Sequence, residues 1–138
     1  MPNTVQGTLR FLRVLYGVLL FSMALDVIVA ERIAPRNQVT LSSLFPWYLA
    51  VAGVVMVGVA VGTRIHLVRP ALEWLRSNSN DAASLRRWTT GAIISAVMFE
   101  SVVLLGFALR FMSGTRVQSF PFYAVGIVLM LVFWPQEP

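Results

Sequence analysis

Four apolar runs, each closed by arginine, proline or aromatic residues, divide the chain at about 14 to 31, 46 to 63, 89 to 109 and 120 to 134. Each is close to the ~17 to 25 residues with which a helix spans hydrocarbon. The last is short: from Phe120 to Trp134 a helix rises only about 21 Å, so local thinning of a bilayer or shielding by neighbouring helices is expected there. The pattern predicts an all-α fold, a four-transmembrane-helix bundle that forms a single integral membrane domain over residues 1–138.

The segment between the second and third runs has its own pattern. Pro70 opens a short helix in which Val68, Leu72 and Leu75 share one side, extended by Trp74, while Arg69, Glu73 and Arg76 lie about 100° away. An amphipathic piece of this kind is expected to lie in the headgroup plane as a separate interfacial helix. Ser77-Asn78-Ser79-Asn80-Asp81 reads as a turn with a helix cap, after which Ala82 to Arg87 lead into the third span. Pro46 and Pro121 suit first-turn positions, where the missing amide hydrogen has no intrahelical partner, and mark helix starts.

Composition agrees with the pattern, since 57% of the residues are hydrophobic, 12% are charged, and the mean hydropathy is +0.74. With no cysteine, disulfides and thiolate metal sites are excluded, and a single histidine, His66, makes neither a bis-imidazole haem site nor a zinc centre. His66 reads as an exposed interfacial residue. No cofactor is implied.

The net charge of +5 rests on arginine alone and reads as topology, with the lipid bilayer as partner and no nucleic acid. Arg10, Arg13, Arg64, Arg69, Arg76, Arg86 and Arg87 share one side, against Arg32, Arg36, Arg110 and Arg116 on the other, which places both termini in the cytoplasm of an inner membrane. Trp47, Tyr48, Phe122 and Tyr123 sit at the outer boundary and Trp88 and Trp134 at the inner one. Arg10, Arg13 and the small residues of Ser22-Met23-Ala24 imitate a signal peptide, but apolar character resumes as far as Ala30 and the first helix is expected to stay.

At an offset of 74 residues Arg13 aligns with Arg87, Gly17 with Gly91 and Asp26 with Glu100. Phe45-Pro46-Trp47-Tyr48 and Phe120-Pro121-Phe122-Tyr123 match at 75, so the chain reads as two tandem similar hairpins, a parallel internal repeat. Each acid lies 13 residues beyond its arginine, about 20 Å along a helix and at or somewhat past the midplane.

A carboxylate facing lipid at that depth costs ~2.5 kcal/mol or more, so Asp26 and Glu100 are expected to face the protein interior, as ion or proton sites or as hydrogen-bonded packing contacts. Ala92 and Ala96 share a face with Glu100, and Gly91 lies beside them, which lets a neighbouring backbone come close. In the second helix Gly58 and Gly62 form a GxxxG pair expected to pack against another helix of the same chain. No nucleophile and base, phosphate-holding glycine loop or metal-ligand spacing is present, so no catalytic residue and no enzyme is expected.

The third helix, with Glu100 six residues before Gly106 in ESVVLLGFAL, resembles the acid-bearing helix of rotary ATPase proteolipid subunits, and the likeness covers about 20 residues. It implies a carboxylate that takes up and releases a proton or sodium ion, a role only Glu100 can inherit. The chain departs from that family in its central loop of about 20 residues and in having only Gly53, Gly58 and Gly62 where the family has a dense glycine repeat. The whole chain is also similar to small, uncharacterised bacterial four-helix membrane proteins, a likeness that implies no activity.

The expectation is therefore a non-enzymatic accessory or structural subunit of a membrane assembly, a homo-oligomer or a larger complex, with its buried acids in helix packing. A proteolipid-like translocating subunit using Glu100 is the alternative. A small transporter or lipid-ligand binder is the third.

Overall fold

The computed structural model describes residues 4–34, 44–79, 81–112 and 115–137. Helix α1 (Val5–Ile33) starts earlier than its apolar run because Thr4 caps it, accepting the Gly7 amide at 3.2 Å. Helix α2 (Phe45–Thr63) has Pro46 in its first turn, as expected. It does not end at Thr63.

A π-helical turn over Arg64–Val68 carries it directly into α3 (Arg69–Ser77), a continuous helical stretch of 33 residues. The amphipathic helix is thus present but is not a separate piece in the central loop. Proline at position 70 has no amide to give and its ring crowds the carbonyl one turn back. A wider turn, in which the Arg69 amide reaches back five residues to the Arg64 carbonyl, accommodates both problems. Ala71 and Leu75 are buried, and α3 packs on the following helix, so that face is already partnered.

Helix α4 (Ala82–Phe111) is capped by Asp81. Its carboxylate accepts the Ser84 hydroxyl at 2.5 Å and the amides of Ser84 at 3.1 Å and Ala83 at 3.4 Å. The Ser84 hydroxyl and amide bonds, more than the nearby Arg87 charge, hold the Asp81 carboxyl below its usual range. A lowered folded value means that the charged cap stabilises fully above the unfolded value of about 3.9 and loses its effect as pH falls through the folded one. Thermal unfolding of Asp81→Asn against wild type is expected to show a deficit at neutral pH that closes in acid. A deficit unchanged by acid would remove the ionised carboxyl as its source.

Helix α5 (Arg116–Val132) opens with a capping box, the Thr115 side chain accepting the Gln118 amide while the Gln118 side chain takes the Thr115 amide. That box moves the start upstream, so Pro121 lies inside the helix and not at its first turn.

The bundle is organised around α4, which packs against α1, α2, α3 and α5. Buried residues occur along its whole length, from Leu85 through Trp88, Ala92, Ala96, Phe99 and Val103 to Leu109. Helix α1 presents Leu9, Leu12, Tyr16, Met23 and Ala30, an alternating three-and-four spacing that makes one narrow seam. Small residues at such contacts set how near neighbouring helices come.

A Cβ at Gly91 would meet Val68 at 2.7 Å, and one at Gly126 would meet the Phe99 carbonyl at 2.8 Å. The GxxxG pair behaves otherwise. A Cβ at Gly58 or Gly62 meets nothing, and α2 packs through Gly53 and Ala60 instead.

Two similar hairpins do not appear in the packing. Helices α4 and α5 form an extensively packed pair, whereas α1 and α2 make almost no contact with each other. Matched positions also differ: Gly17 borders open space where Gly91 is tightly packed, and Pro46 begins a helix where Pro121 interrupts one.

Candidate functional site

Three polar places stand out in an otherwise apolar bundle, one at each end of it and one between. The middle one is Glu100 on α4. Buried Ala96 and Val103 flank it on one side and exposed Val97 and Leu104 on the other, so it stands on the border of the packed surface and is partly exposed. Among the described residues it makes no hydrogen bond or ion pair. Glu100 is thus neither enclosed by protein nor fully turned out of it. Ala92 and Ala96, predicted as its small neighbours, are buried, with Ala92 facing α1.

Asp26 belongs to a different environment. It continues the α1 seam three residues after Met23 and four before Ala30, and is partly buried. The Tyr123 hydroxyl on α5 lies within electrostatic reach of Asp26, Glu31 and Arg110. Glu31 joins three helices: one oxygen accepts Arg110 Nε of α4 at 3.3 Å and the other Arg116 Nε of α5 at 2.5 Å. Two buried hydroxyls, Ser119 and Tyr123, lie one turn apart on α5, close enough to interact with each other. Asp26 and Glu100 therefore face different surroundings, the first beside an ion-paired, hydroxyl-bearing cluster and the second beside apolar side chains.

At the opposite end Arg64, in the π turn, is drawn into the bundle. Its guanidinium donates to the Tyr16 hydroxyl and, at 2.7 Å, to the Phe133 carbonyl, and it lies 5.8 Å and 5.1 Å from the centres of those two rings. Tyr16 in turn donates to the Ala92 carbonyl at 3.0 Å, and Trp134 meets the Tyr16 ring edge-on at 6.1 Å. Phe133 caps α5, whose last carbonyls lack helical partners and attract a cation. One side chain thus fixes the end of α5 to α1 and α2. Arg64 Nε is buried and has no acceptor among the described residues.

Chemically these groups can hold charge, orient helices or meet a polar partner. Among the described residues no group of three or more His, Asp or Glu is placed to hold a metal ion, and His66 is exposed. An apolar groove of about 580 Å³ lies between α2 and α5, lined by Trp47, Gly53, Val57, Val102 and Phe122, with Gln118 at its rim.

Sequence reasoning missed Glu31, Tyr16 and the inward use of Arg64 and Arg110. Arginines at the ends of apolar runs read as topology, and Glu31 lies at the edge of its run, where an acid carries no signal. Tyr16 had a detectable signal, because it lies on the three-and-four seam with Leu9, Leu12 and Met23. Comparison of the chain with protein families, with curated proteins and with solved structures finds no significant match.

Proposed function

We propose that this chain is a small polytopic protein of a bacterial inner membrane, both termini cytoplasmic, that serves as a non-enzymatic subunit of a membrane assembly. Three helices are long and apolar enough to cross a bilayer, with the shorter α5 completing the set, and the arginine bias sets the orientation. Arg64 and Glu31 then lie near the inner and outer boundaries and Glu100 near the middle. The observation that carries the reading is Glu100, an acid at that depth, partly exposed and without a partner among the described residues. A group so costly to leave toward lipid is explained by a polar contact from a neighbouring transmembrane helix. Internal packing passes to Glu31 and Asp26, and Glu100 is the point of recognition.

Native mass measurement in mild detergent tests this. Wild type is expected to carry a stoichiometric partner, of its own or another chain, which Glu100→Gln retains through its amide and Glu100→Leu loses. The stability of the isolated subunit should change by no more than about 0.5 kcal/mol in either variant. A wild-type protein without any partner, or a Leu variant that still holds it, overturns the proposal.

A second reading, proteolipid-like proton or sodium translocation, draws on the same observation, since a carrier carboxylate must be free to bind and release its ion. It predicts reaction of Glu100 with a hydrophobic carbodiimide and a flux in vesicles that Glu100→Gln abolishes.

A further inference from the structure

The inner end of α1 carries a cleft that neither reading uses. It has a volume of about 470 Å³ and is lined by Gln6, Leu9, Arg10, Arg13, Val14 and Glu137. Gln6, Arg10 and Arg13 follow one another at intervals of four and three residues, so their side chains project from the same face of the helix. Glu137 enters from the segment after α5, which Arg13 holds by donating from Nε to the Pro135 carbonyl at 3.5 Å.

We propose that this cleft binds the phosphate of an anionic phospholipid of the inner leaflet. Two arginines face one acid, so the cleft keeps an excess of positive charge even with Glu137 in place. That acid is a weak competitor, since its oxygen is 4.0 Å from Arg13 and its side chain is 76% exposed. Arg10 makes no ion pair among the described residues, which leaves its fork of donors for a phosphate.

The floor is apolar and continues outward: Val14, Val18, Phe21, Leu25 and Ile28 are all exposed along the same side of α1, a path for an acyl chain below a headgroup held by Arg10 and Arg13. A free phosphate would use the arginines but not that path. The site rests on the membrane-spanning reading, because only then do the two arginines lie at headgroup depth, where basic pockets between helices recognise acidic lipids.

The test is reconstitution of the full chain into nanodiscs of phosphatidylcholine with a minor fraction of phosphatidylglycerol, followed by native mass spectrometry of the lipids retained. Wild type is expected to keep phosphatidylglycerol selectively, and Arg10→Gln/Arg13→Gln to weaken that retention by about tenfold or more. Glu137→Gln should strengthen it. Arg86→Gln/Arg87→Gln removes the same charge from α4 at the same end of the bundle and should leave retention within about twofold of wild type. Equal losses in the two double variants would reduce the effect to the general field of the protein and overturn the site, as would full displacement by inorganic phosphate. Failure of the chain to enter nanodiscs overturns the membrane reading itself, an outcome separate from entry without selective retention.

Discussion

Gly126→Val is expected to separate α5 from α4 and to cost the protein roughly 3 kcal/mol, the upper end of what overpacking usually costs. The first added carbon would lie 2.8 Å from the Phe99 carbonyl oxygen and closer still to a Val103 methyl group. A flexible side chain could turn aside, but a helical carbonyl can yield only by moving α4. Since α4 carries the rest of the bundle, the loss should spread to the whole unfolding transition. The comparison is Gly58→Val, whose added atoms meet open space and which should stay within about 0.5 kcal/mol of wild type. Thermal or denaturant unfolding in the same detergent reads both, and comparable losses at the two positions would refute the assignment of Gly126 as a contact between backbones.

Tyr16→Phe is the second large effect, with an expected loss of about 2 kcal/mol, since one of its hydrogen bonds involves a charged group. The hydroxyl both accepts from Arg64 and donates to the Ala92 carbonyl, so its removal undoes two contacts between helices. Arg64 would keep the Phe133 carbonyl, while its Nε already lacks an acceptor among the described residues. In an Arg64→Met background the same change should cost less, because the charge that needed the hydroxyl has gone. A double-mutant cycle is expected to show a coupling of about 1 kcal/mol. Strict additivity would mean that the two residues act separately and would break the proposed tie among α1, α2 and the end of α5.

Much of the architecture was legible because apolar runs dominate the chain. The helical class, the Pro46 start, the Asp81 cap and the amphipathic stretch after Pro70 all follow from local rules of capping and periodicity. What was hidden depends on geometry between elements. Whether Pro70 interrupts a helix or is absorbed by a wider turn depends on Val68 and Leu75 finding a surface on α4, which no local rule contains. The GxxxG signal identified glycines able to admit a close neighbour but not whether one comes, and Gly91 and Gly126, outside the motif, take that part.

Of the candidate residues, Asp26 and Glu100 were visible as acids in apolar runs, but their matched spacing concealed unlike surroundings. Arg64, Arg110 and Glu31 stand at the ends of apolar runs, where the pattern alone reads a charge as topology. A charge can mark a boundary and still turn inward when a tyrosine hydroxyl, a terminal carbonyl or an opposite charge is within reach.

The near absence of contact between α1 and α2 has a consequence for biogenesis. Both helices leave the ribosome before α4, yet they have little surface for each other, and on the membrane-spanning reading they wait unpaired in the bilayer. Only when the next long helix emerges does the nascent chain acquire a scaffold, so α1 and α2 enter the bundle through α4 and not as one finished half.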